Sequence, residues 1–315
     1  MGREGWMARS AAIIGAGMAG LACAAQLAAA GCTVRLFDKG RRAGGRLSSK
    51  PVSAGGHDFF FDYGAQYLTA RDPDFVAQIA DWERAGIVGR WPAAGGDAWV
   101  GVPGMAAIVA HMAAAHDVRW SSHIRGARRD RDGWWLRHDE GVEGPFDMIV
   151  LALPAEQTVE VAAPIDPGLA ELAGAHPSAP CWTVMLGFDA PLAVADVPEV
   201  GGPIDFAARN PSKPGHGGGE AWTIHATAEW SRRHLDDARE SVAAALYQAF
   251  RDRARPLPDP VHTAAHRWRY ARSGKAGIGA YARPDIGLAA CGDWLIAPRV
   301  ESAWLSGRQA AQALL

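Results

Sequence analysis

The stretch Ser10–Asp38, SAAIIGAGMAGLACAAQLAAAGCTVRLFD, decides the fold of this chain. Its pattern predicts a short apolar strand, a tight glycine turn, and a helix rich in Ala and Leu that ends at Gly31. A second strand, Thr33–Phe37, follows and leads directly into an acidic residue. A strand, a helix and a second strand in this order are typical of the first unit of a parallel α/β sheet.

The glycine turn has the pattern of a dinucleotide-binding site. In G-x-G-x-x-G the first glycine permits the sharp turn, the second lets a pyrophosphate approach the backbone, and the third lets helix and strand pack closely. These glycines are Gly15, Gly17 and Gly20. The helix that begins at Met18 and Ala19 offers unpaired N–H groups to phosphates. Asp38 has the spacing of a carboxylate that accepts hydrogen bonds from ribose hydroxyls.

Composition restricts the possible classes of protein. The 315 residues allow one large domain or two closely associated ones. A formal net charge of −2 argues against a nucleic acid or an anionic membrane as the main partner. The four cysteines form no C-x-x-C pair, which favours a reduced, cytoplasmic protein. The uncharged run 10–30 has the length of a membrane span, but its glycine turn and Gln26 argue against insertion.

A second glycine motif follows Asp38 and changes the expected cofactor. Gly44, Gly45 and Arg46 form a Gly-Gly-Arg sequence that can wrap around a pyrophosphate, with Lys39 close before it. NAD dehydrogenases usually need only the first glycine motif, whereas large FAD enzymes carry both. The sequence therefore predicts FAD, with a flexible basic loop as the alternative for this segment.

The middle of the chain supplies further elements. The aromatic run that begins at Phe59 predicts a strand, and Gly64 marks a break or a close approach of backbone to a ligand. Asp72 and Pro73 predict the start of a helix. We expect a Gly- and Trp-rich loop over 91–101, a hairpin over 118–136, and a buried parallel strand over 146–153.

The second half of the chain differs in its pattern of elements, because it has short predicted strands and proline-rich connections. This pattern predicts a substrate domain. Its clearest helix runs over 236–253. The segment HRWRYAR, 266–272, predicts either a pocket wall or a half-exposed strand. Near the C-terminus a strand leads into Gly292 and Asp293, and a final helix begins near Val300. Its N-terminus is suited to phosphate, ribose or a flavin ring that carries negative charge.

Taken together, these motifs resemble the renalase branch of the FAD-dependent amine-oxidase-like superfamily. The matching segments span nearly the whole chain and are GAGMAG (15–20), Asp38, GGR (44–46), DYGAQYLTARD (62–72), HRWRYA (266–271) and CGDW…RVESAWLSG (291–307). The resemblance implies an α/β fold in which a Rossmann-type FAD-binding domain is interleaved with a smaller mixed-sheet substrate domain of α+β type. The expected domains are 8–70, 100–155 and 272–315 for FAD, and 71–99 and 156–271 for substrate.

The resemblance also implies an activity. Renalase-like enzymes oxidise 2- or 6-dihydro isomers of NAD(P), return NAD(P)⁺, and pass the electrons through flavin to O2 to give hydrogen peroxide. Ring-stacking or polar contacts to the reacting rings are expected from Gln66, Tyr67, Trp268 and Tyr270, and Arg269 could meet a substrate phosphate. The expected FAD contacts are Gly15, Gly17, Met18, Ala19, Gly20, Asp38, Lys39, Gly45, Arg46, Gly64, Ala65, Gln66, Ile124, Gly292, Asp293, Val300, Glu301, Ser302 and Ala303.

Several alternatives stay open at this point. A true amine oxidase often places a lysine near the flavin, but neither Lys213 nor Lys275 falls on a predicted strand. A non-catalytic FAD-binding redox partner and an NAD-binding dehydrogenase without flavin are further possibilities. The histidines show no metal-ligand spacing, so no metal is expected. No Cys or His lies in an attachment motif, so we expect non-covalent FAD, a small-molecule substrate with O2, and a monomer or homodimer.

Overall fold

The structure is a computed structural model that describes residues 9–254 and 257–315. Its strands are β1 (Ser10–Ile14), β2 (Thr33–Phe37), β3 (Ser49–Ala54), β4 (His57–Asp62), β5 (Val88–Arg90), β6 (Trp99–Gly101), β7 (Asp117–Arg119), β8 (Ile124–Asp130), β9 (Gly133–His138), β10 (Gly141–Phe146), β11 (Met148–Leu151), β12 (Ala179–Phe188), β13 (Ile204–Arg209), β14 (Glu220–Ala226), β15 (His262–Arg272), β16 (Tyr281–Arg283) and β17 (Leu288–Ala290). Its helices are α1 (Met18–Ala29), α2 (Pro73–Arg84), α3 (Ala106–Ala113), α4 (Ala155–Ala162), α5 (Pro167–Gly174), α6 (Ala228–Arg233), α7 (Arg239–Arg253) and α8 (Val300–Leu314).

The chain forms two compact units that alternate along the sequence. Unit 1 contains the described residues up to Ala43 together with Ala110–Pro177 and Ser273–Leu315. Unit 2 contains Gly44–Val109 and Ser178–Arg272. None of the helices in the described ranges is both long enough and apolar enough to cross a membrane.

Unit 1 is organised around a six-stranded sheet in the order β16-β17-β11-β1-β2-β7. All neighbours are parallel except β16 and β17. Its central strand β1 is flanked by β2 and β11, and its apolar side chains are buried, as expected for a parallel sheet covered on both faces. Helices α1 and α8 pack so closely that a Cβ on Gly307 would lie 2.1 Å from the carbonyl oxygen of Ala19.

Unit 2 is organised around an antiparallel sheet in the order β13-β14-β12-β15. Helix α7 packs against one face through Val242, Leu246 and Phe250. The hairpin β3–β4 contributes Phe59 and Phe61 to a second cluster with Met185 and Ala221. The period-2 alternation of a strand allows β12 to supply side chains to both clusters.

The two units group some segments differently from the predicted domains. Residues 44–70 and 100–109, predicted with the FAD domain, lie in unit 2, since hairpin β3–β4 packs with the antiparallel sheet. Residues 156–177, predicted with the substrate domain, lie in unit 1, since α4 and α5 join its core. The predicted boundary at residue 8 lies outside the described residues. The cofactor and substrate roles of the two units stay predictions.

Most predicted elements are present at the expected places, with one correction. The strand before the glycine turn, the buried strand β11, the hairpin β8–β9 and the final helix α8 are all confirmed. The segment 91–101 is not entirely a loop, because its end forms β6, which pairs with β5. The segment 266–272 is part of the half-buried edge strand β15.

Helix α2 begins as its sequence predicts. Asp72 Oδ1 accepts hydrogen bonds from the backbone N–H groups of Asp74 at 3.0 Å and Phe75 at 3.3 Å, and Pro73 occupies the first turn. We expect Asp72→Ala to lower the free energy of unfolding by about 1 kcal/mol, because the helix loses its N-cap. Urea denaturation measures this change, and Asp97→Ala in an exposed loop is the control. Equal stability of the two variants would contradict this capping role.

Candidate functional site

The glycine turn of unit 1 requires glycine at two positions for reasons within the protein. Gly15 has a φ of +108°, and a Cβ there would lie 2.3 Å from the carbonyl oxygen of Ala152. A Cβ on Gly20 would lie 2.0 Å from the carbonyl oxygen of Gly15. These two glycines therefore allow β1, α1 and the segment after β11 to approach one another.

Gly17 is different, because the protein itself does not require a glycine there. Its backbone is extended, and a Cβ would meet no protein atom within 4 Å. Helix α1 begins directly after it and has no side-chain cap on its N-terminus. A glycine beside open space, followed by uncapped N–H groups, fits a phosphate group that approaches the backbone.

Asp38 is held in place by the backbone around the turn. Its Oδ2 accepts a hydrogen bond from Ala16 N at 2.8 Å, and its Oδ1 accepts one from Gly40 N at 2.7 Å. Sequence reasoning predicted a ribose contact for this carboxylate and did not predict these backbone partners. Each oxygen of a carboxylate has two lone pairs, so the observed bonds leave acceptor capacity for ribose hydroxyls.

A second part of unit 1 contains the predicted residues of the C-terminal motif. Gly292 N donates to Ser306 Oγ at 3.0 Å, which ties the segment after β17 to helix α8. Arg299 forms an ion pair of 2.6 Å with the buried Glu301 in the first turn of that helix. Unit 1 therefore holds these predicted FAD contacts: Gly15, Gly17, Met18, Ala19, Gly20, Asp38, Lys39, Ile124, Gly292, Asp293, Val300, Glu301, Ser302 and Ala303.

Unit 2 holds the other predicted cofactor residues, Gly45, Arg46, Gly64, Ala65 and Gln66. The carbonyl oxygen of Arg46 accepts a hydrogen bond from Ala65 N at 2.8 Å. A Cβ on Gly64 would lie 2.1 Å from that same oxygen. The Gly-Gly-Arg segment and the segment after β4 are therefore in direct backbone contact. The binding roles of these residues stay predictions.

A buried polar network in unit 2 joins Gln66 to residues that sequence reasoning missed. Lys213 Nζ donates to Asp62 Oδ2 and to Gln66 Oε1, both at 3.0 Å. His216 Nε2 lies 2.7 Å from the same Asp62 oxygen. Gln66 Nε2 donates to the carbonyl oxygens of Asp62 at 2.7 Å and Gly64 at 3.1 Å. The protein thus engages both ends of the Gln66 amide.

Asp62 remains ionised in spite of its burial. Removal from water alone would raise its pKa, but Lys213, His216 and Ser49 together hold the pKa well below its usual range. Burial lowers the pKa of Lys213, and the Asp62 carboxylate opposes this effect. Both side chains are fully buried, so their ion pair is shielded from solvent and salt.

The same carboxylate organises the backbone around it. Asp62 Oδ1 accepts hydrogen bonds from Ser49 Oγ at 2.5 Å and from Met105 N at 2.9 Å, just before helix α3. Asp62 N donates to Asn210 Oδ1 at 3.0 Å. The carboxylate therefore connects β3, β4, the start of α3 and the segment 210–216.

A group of aromatic side chains, here called the aromatic face, consists of Tyr67, Trp91, Phe206 and His225. The Tyr67 ring centroid lies 6.2 Å from that of Trp91 and 5.9 Å from that of Phe206, and Tyr67 is 36% exposed. The Phe206 and His225 rings are 6.3 Å apart. His225 Nε2 is buried without a hydrogen-bond partner, and burial lowers its pKa to about 4. His225 is therefore a neutral ring.

The remaining predicted residues lie on β15. Trp268 Nε1 donates to the carbonyl oxygen of Tyr63 at 2.8 Å, and the two rings stack at 5.4 Å. Tyr270 is half-buried further along the strand. Arg269, a candidate for a substrate phosphate, forms an exposed ion pair with Asp236 at 3.1 Å, and its phosphate role stays a prediction. The structure thus brings Trp268 close to the segment that leads to Gln66.

Comparisons with known proteins agree with this architecture. A family model described as flavin containing amine oxidoreductase matches residues 92–315, and one for an NAD(P)-binding Rossmann-like domain matches residues 13–81. The chain is similar to a candidate protoporphyrinogen oxidase from Exiguobacterium sp. 255-15, with 12% identity, a TM-score of 0.76, and coverage of 98% of this chain and 99% of that chain.

Two further solved structures have the same fold. One is putrescine oxidase bound to putrescine, with 14% identity, a TM-score of 0.74, and coverage of 97% of this chain and 98% of that chain. The other is cyclohexylamine oxidase from Brevibacterium oxydans IH-35A, with 14% identity, a TM-score of 0.72, and coverage of 98% and 99%. At this level of identity the likeness concerns the fold alone.

Proposed function

Because this chain belongs to the family of flavin-containing amine oxidoreductases, we propose that it oxidises a reduced nicotinamide dinucleotide whose extra hydride is at ring position 2 or 6. It is an FAD-dependent oxidoreductase. The proposed reaction removes a hydride from the dihydropyridine ring and leaves NAD(P)⁺. The two electrons pass to O2, which takes up two protons and forms hydrogen peroxide. FAD, when bound, supplies the hydride acceptor.

The aromatic face carries this proposal. Tyr67 and Phe206 offer rings against which a flat, uncharged substrate ring can stack. One carboxylate, Asp205, acts on His225 in this region, and it is ion-paired with Arg272. The buried Asp62 is ion-paired with Lys213. Among the residues that the structure describes, these two offer no unpaired charge to an ammonium substrate. The environment therefore favours a dihydronicotinamide over a cationic amine.

The neutral state of His225 is consistent with the same chemistry. A dihydropyridine is already a hydride donor, so its oxidation requires no base to remove a proton from the substrate. The protein mainly has to hold the dihydropyridine ring of the substrate against the flavin ring and exclude water. The Gln66–Lys213–Asp62 network serves this purpose, because it fixes the segment 62–66 through buried hydrogen bonds.

The second candidate is oxidation of an amine, and Lys213 is the observation that favours it. A lysine near the flavin is frequent in amine oxidases, and sequence reasoning found no suitable candidate. In the structure Lys213 is fully buried and bonded to Gln66, a predicted flavin neighbour. The buried position of Lys213 thus keeps amine oxidation open as an alternative.

Anaerobic mixing of the holoenzyme with reductants distinguishes the two candidates. We expect 2- and 6-dihydro isomers of NAD(P) to bleach the flavin absorbance rapidly, with recovery and peroxide formation when air is admitted. Tyr67→Ala should slow the bleaching at least tenfold because a stacking ring is lost, while Tyr67→Phe should retain the rate. Bleaching by putrescine or cyclohexylamine, with none by the dihydronicotinamides, would replace the proposal with amine oxidation.

A further inference from the structure

Unit 2 contains a second group of side chains, next to Trp268, whose other members have no role in the proposed reaction. Lys50 Nζ lies over the Tyr63 ring at 5.3 Å. The Tyr63 ring is 5.1 Å from that of His266, which in turn is 4.3 Å from that of Trp268. Four residues before His266 on the same strand, the His262 ring centroid lies 5.7 Å from that of Phe61. Basic and aromatic side chains thus line one patch on β3, β4 and β15.

The charges of this patch are not balanced by carboxylates. The ion pairs found among the described residues include none to Lys50 or to Arg239, the first residue of α7. Burial and Arg239 lower the pKa of Lys50. Burial, Lys50 and Arg239 lower the pKa of His266 to about 4, and burial and Lys50 lower the pKa of His262. Every neighbouring charge that acts on these three groups is therefore positive, and a bound anion would relieve the repulsion.

An unsatisfied polar atom lies in the same patch. His262 Nε2 is buried and has no hydrogen-bond partner. Buried polar atoms are normally paired, so an orphaned ring nitrogen beside unbalanced cations indicates a place for an external hydrogen-bonding group. A phosphate oxygen, which also carries negative charge, satisfies both requirements.

The patch lies on the same sheet as the aromatic face. Thr183 on β12 is directly opposite His225 on β14 and His266 on β15. Directly opposite residues point to the same face of a sheet, and two strand spacings correspond to about 9.6 Å. A dinucleotide whose nicotinamide ring lies near His225 could therefore extend its phosphates toward His266.

We propose that Lys50, His262 and His266, here called the basic cluster, form a subsite for the phosphates of a dinucleotide substrate, with Tyr63 and Trp268 as its aromatic wall. This inference rests on the proposed function and makes its substrate more specific. It assigns recognition of the phosphate-bearing part of the substrate to unit 2, at a site separate from the glycine turn of unit 1.

The first test is direct binding of ADP and inorganic pyrophosphate to the FAD-loaded protein by titration calorimetry, with the flavin absorbance followed to confirm that FAD stays bound. We expect both probes to bind, and Lys50→Met to raise their Kd at least tenfold. Lys50→Arg keeps the cation and should restore binding. Lys275→Met, which removes an exposed lysine from unit 1, is the matched control and should bind as the parent protein does.

The outcomes separate a real subsite from weak ionic attraction. Equal Kd values for the parent and Lys50→Met, or equal losses in Lys50→Met and Lys275→Met, would overturn the proposal. If Lys50→Met does not fold, His266→Gln provides the same comparison, because it removes a ring from the basic cluster without changing net charge at neutral pH.

A kinetic test separates this inference from the proposed function. We expect a dihydronicotinamide riboside, which has no phosphate, to reduce the flavin with a KM at least tenfold higher than that of the dinucleotide and with a similar limiting rate. Lys50→Met should remove this difference in KM. Reduction by neither compound would contradict the proposed function, while ADP binding would still test the subsite. Equal KM values for both compounds would contradict the subsite alone.

Discussion

Replacement of Asp62 by asparagine will lower the free energy of unfolding by about 3–5 kcal/mol. The substitution removes the carboxylate that pairs with Lys213 and leaves an ammonium group fully buried without a counter-charge. It also weakens the hydrogen-bond acceptor for the Ser49 hydroxyl and for the backbone N–H of Met105, which lies just before α3. Urea denaturation of the FAD-loaded protein measures the change.

A set of variants tests whether the charge pair is the cause. Lys213→Met should be destabilised to a similar extent, because Asp62 then lacks its cation. The double variant should be much less destabilised than the sum of the two single variants, since neither buried charge remains. Asp58→Asn, at an exposed position of the same strand β4, should change the free energy by no more than about 0.5 kcal/mol. Additive losses in the double variant would show that the two side chains act independently.

The same network predicts how stability depends on pH. The pKa of Asp62 is depressed in the folded protein relative to about 3.9 in the unfolded chain. Its contribution is therefore complete above pH 4 and is lost as the pH falls toward the folded pKa. We therefore expect the urea concentration at the midpoint of unfolding to fall less steeply with decreasing pH, below pH 4, in Asp62→Asn than in the parent protein.

Gly17→Val will yield a folded protein that binds FAD at least about a hundredfold more weakly, which corresponds to ~2.7 kcal/mol. The backbone of Gly17 is extended, and no protein atom lies within 4 Å of a Cβ, so the fold tolerates the new side chain. The side chain would occupy the space through which a phosphate approaches the N-terminus of α1. Equilibrium dialysis against FAD and far-UV circular dichroism measure the two effects separately.

Two other glycines provide the comparison. Gly96→Val, in an exposed loop of unit 2 with open space around it, should retain both fold and FAD affinity. Gly20→Ala should lose both, because its Cβ would lie 2.0 Å from the carbonyl oxygen of Gly15. Full FAD affinity in folded Gly17→Val would mean that the phosphates lie elsewhere.

The parts of the fold that the sequence predicts well are those specified by local patterns. The turn at Gly15 and Gly20, the cap at Asp72 and the buried strand β11 each depend on a few neighbouring residues. The short strand β6 escaped prediction because its three residues carry no visible period and depend on β5 for pairing. The two compact units group some segments differently from the predicted domains because the packing partners of β3–β4 lie far away in sequence.

The buried network could not be predicted from the sequence for a similar reason. Lys213 is separated from Asp62 by 151 residues, and a lysine in a Gly- and Pro-rich segment normally indicates an exposed loop. Its burial is explained only by the folded structure, in which β4 and the segment after it place the Asp62 carboxylate and the Gln66 amide beside it. The weak signal that was available is the concentration of Asn210, Lys213 and His216 in a segment otherwise composed of turn residues.

The packing of α1 against α8 has a consequence for biosynthesis. Helix α1 is rich in buried apolar residues, and its partner around Gly307 is made almost 300 residues later. Strand β1 likewise cannot pair with β11 until residues 148–151 have been synthesised. Unit 2, by contrast, has all its strands once residue 272 has left the ribosome. During translation from the N-terminus, the half that contains the glycine turn is therefore completed last, and the apolar face of its first helix has no α8 to pack against until then.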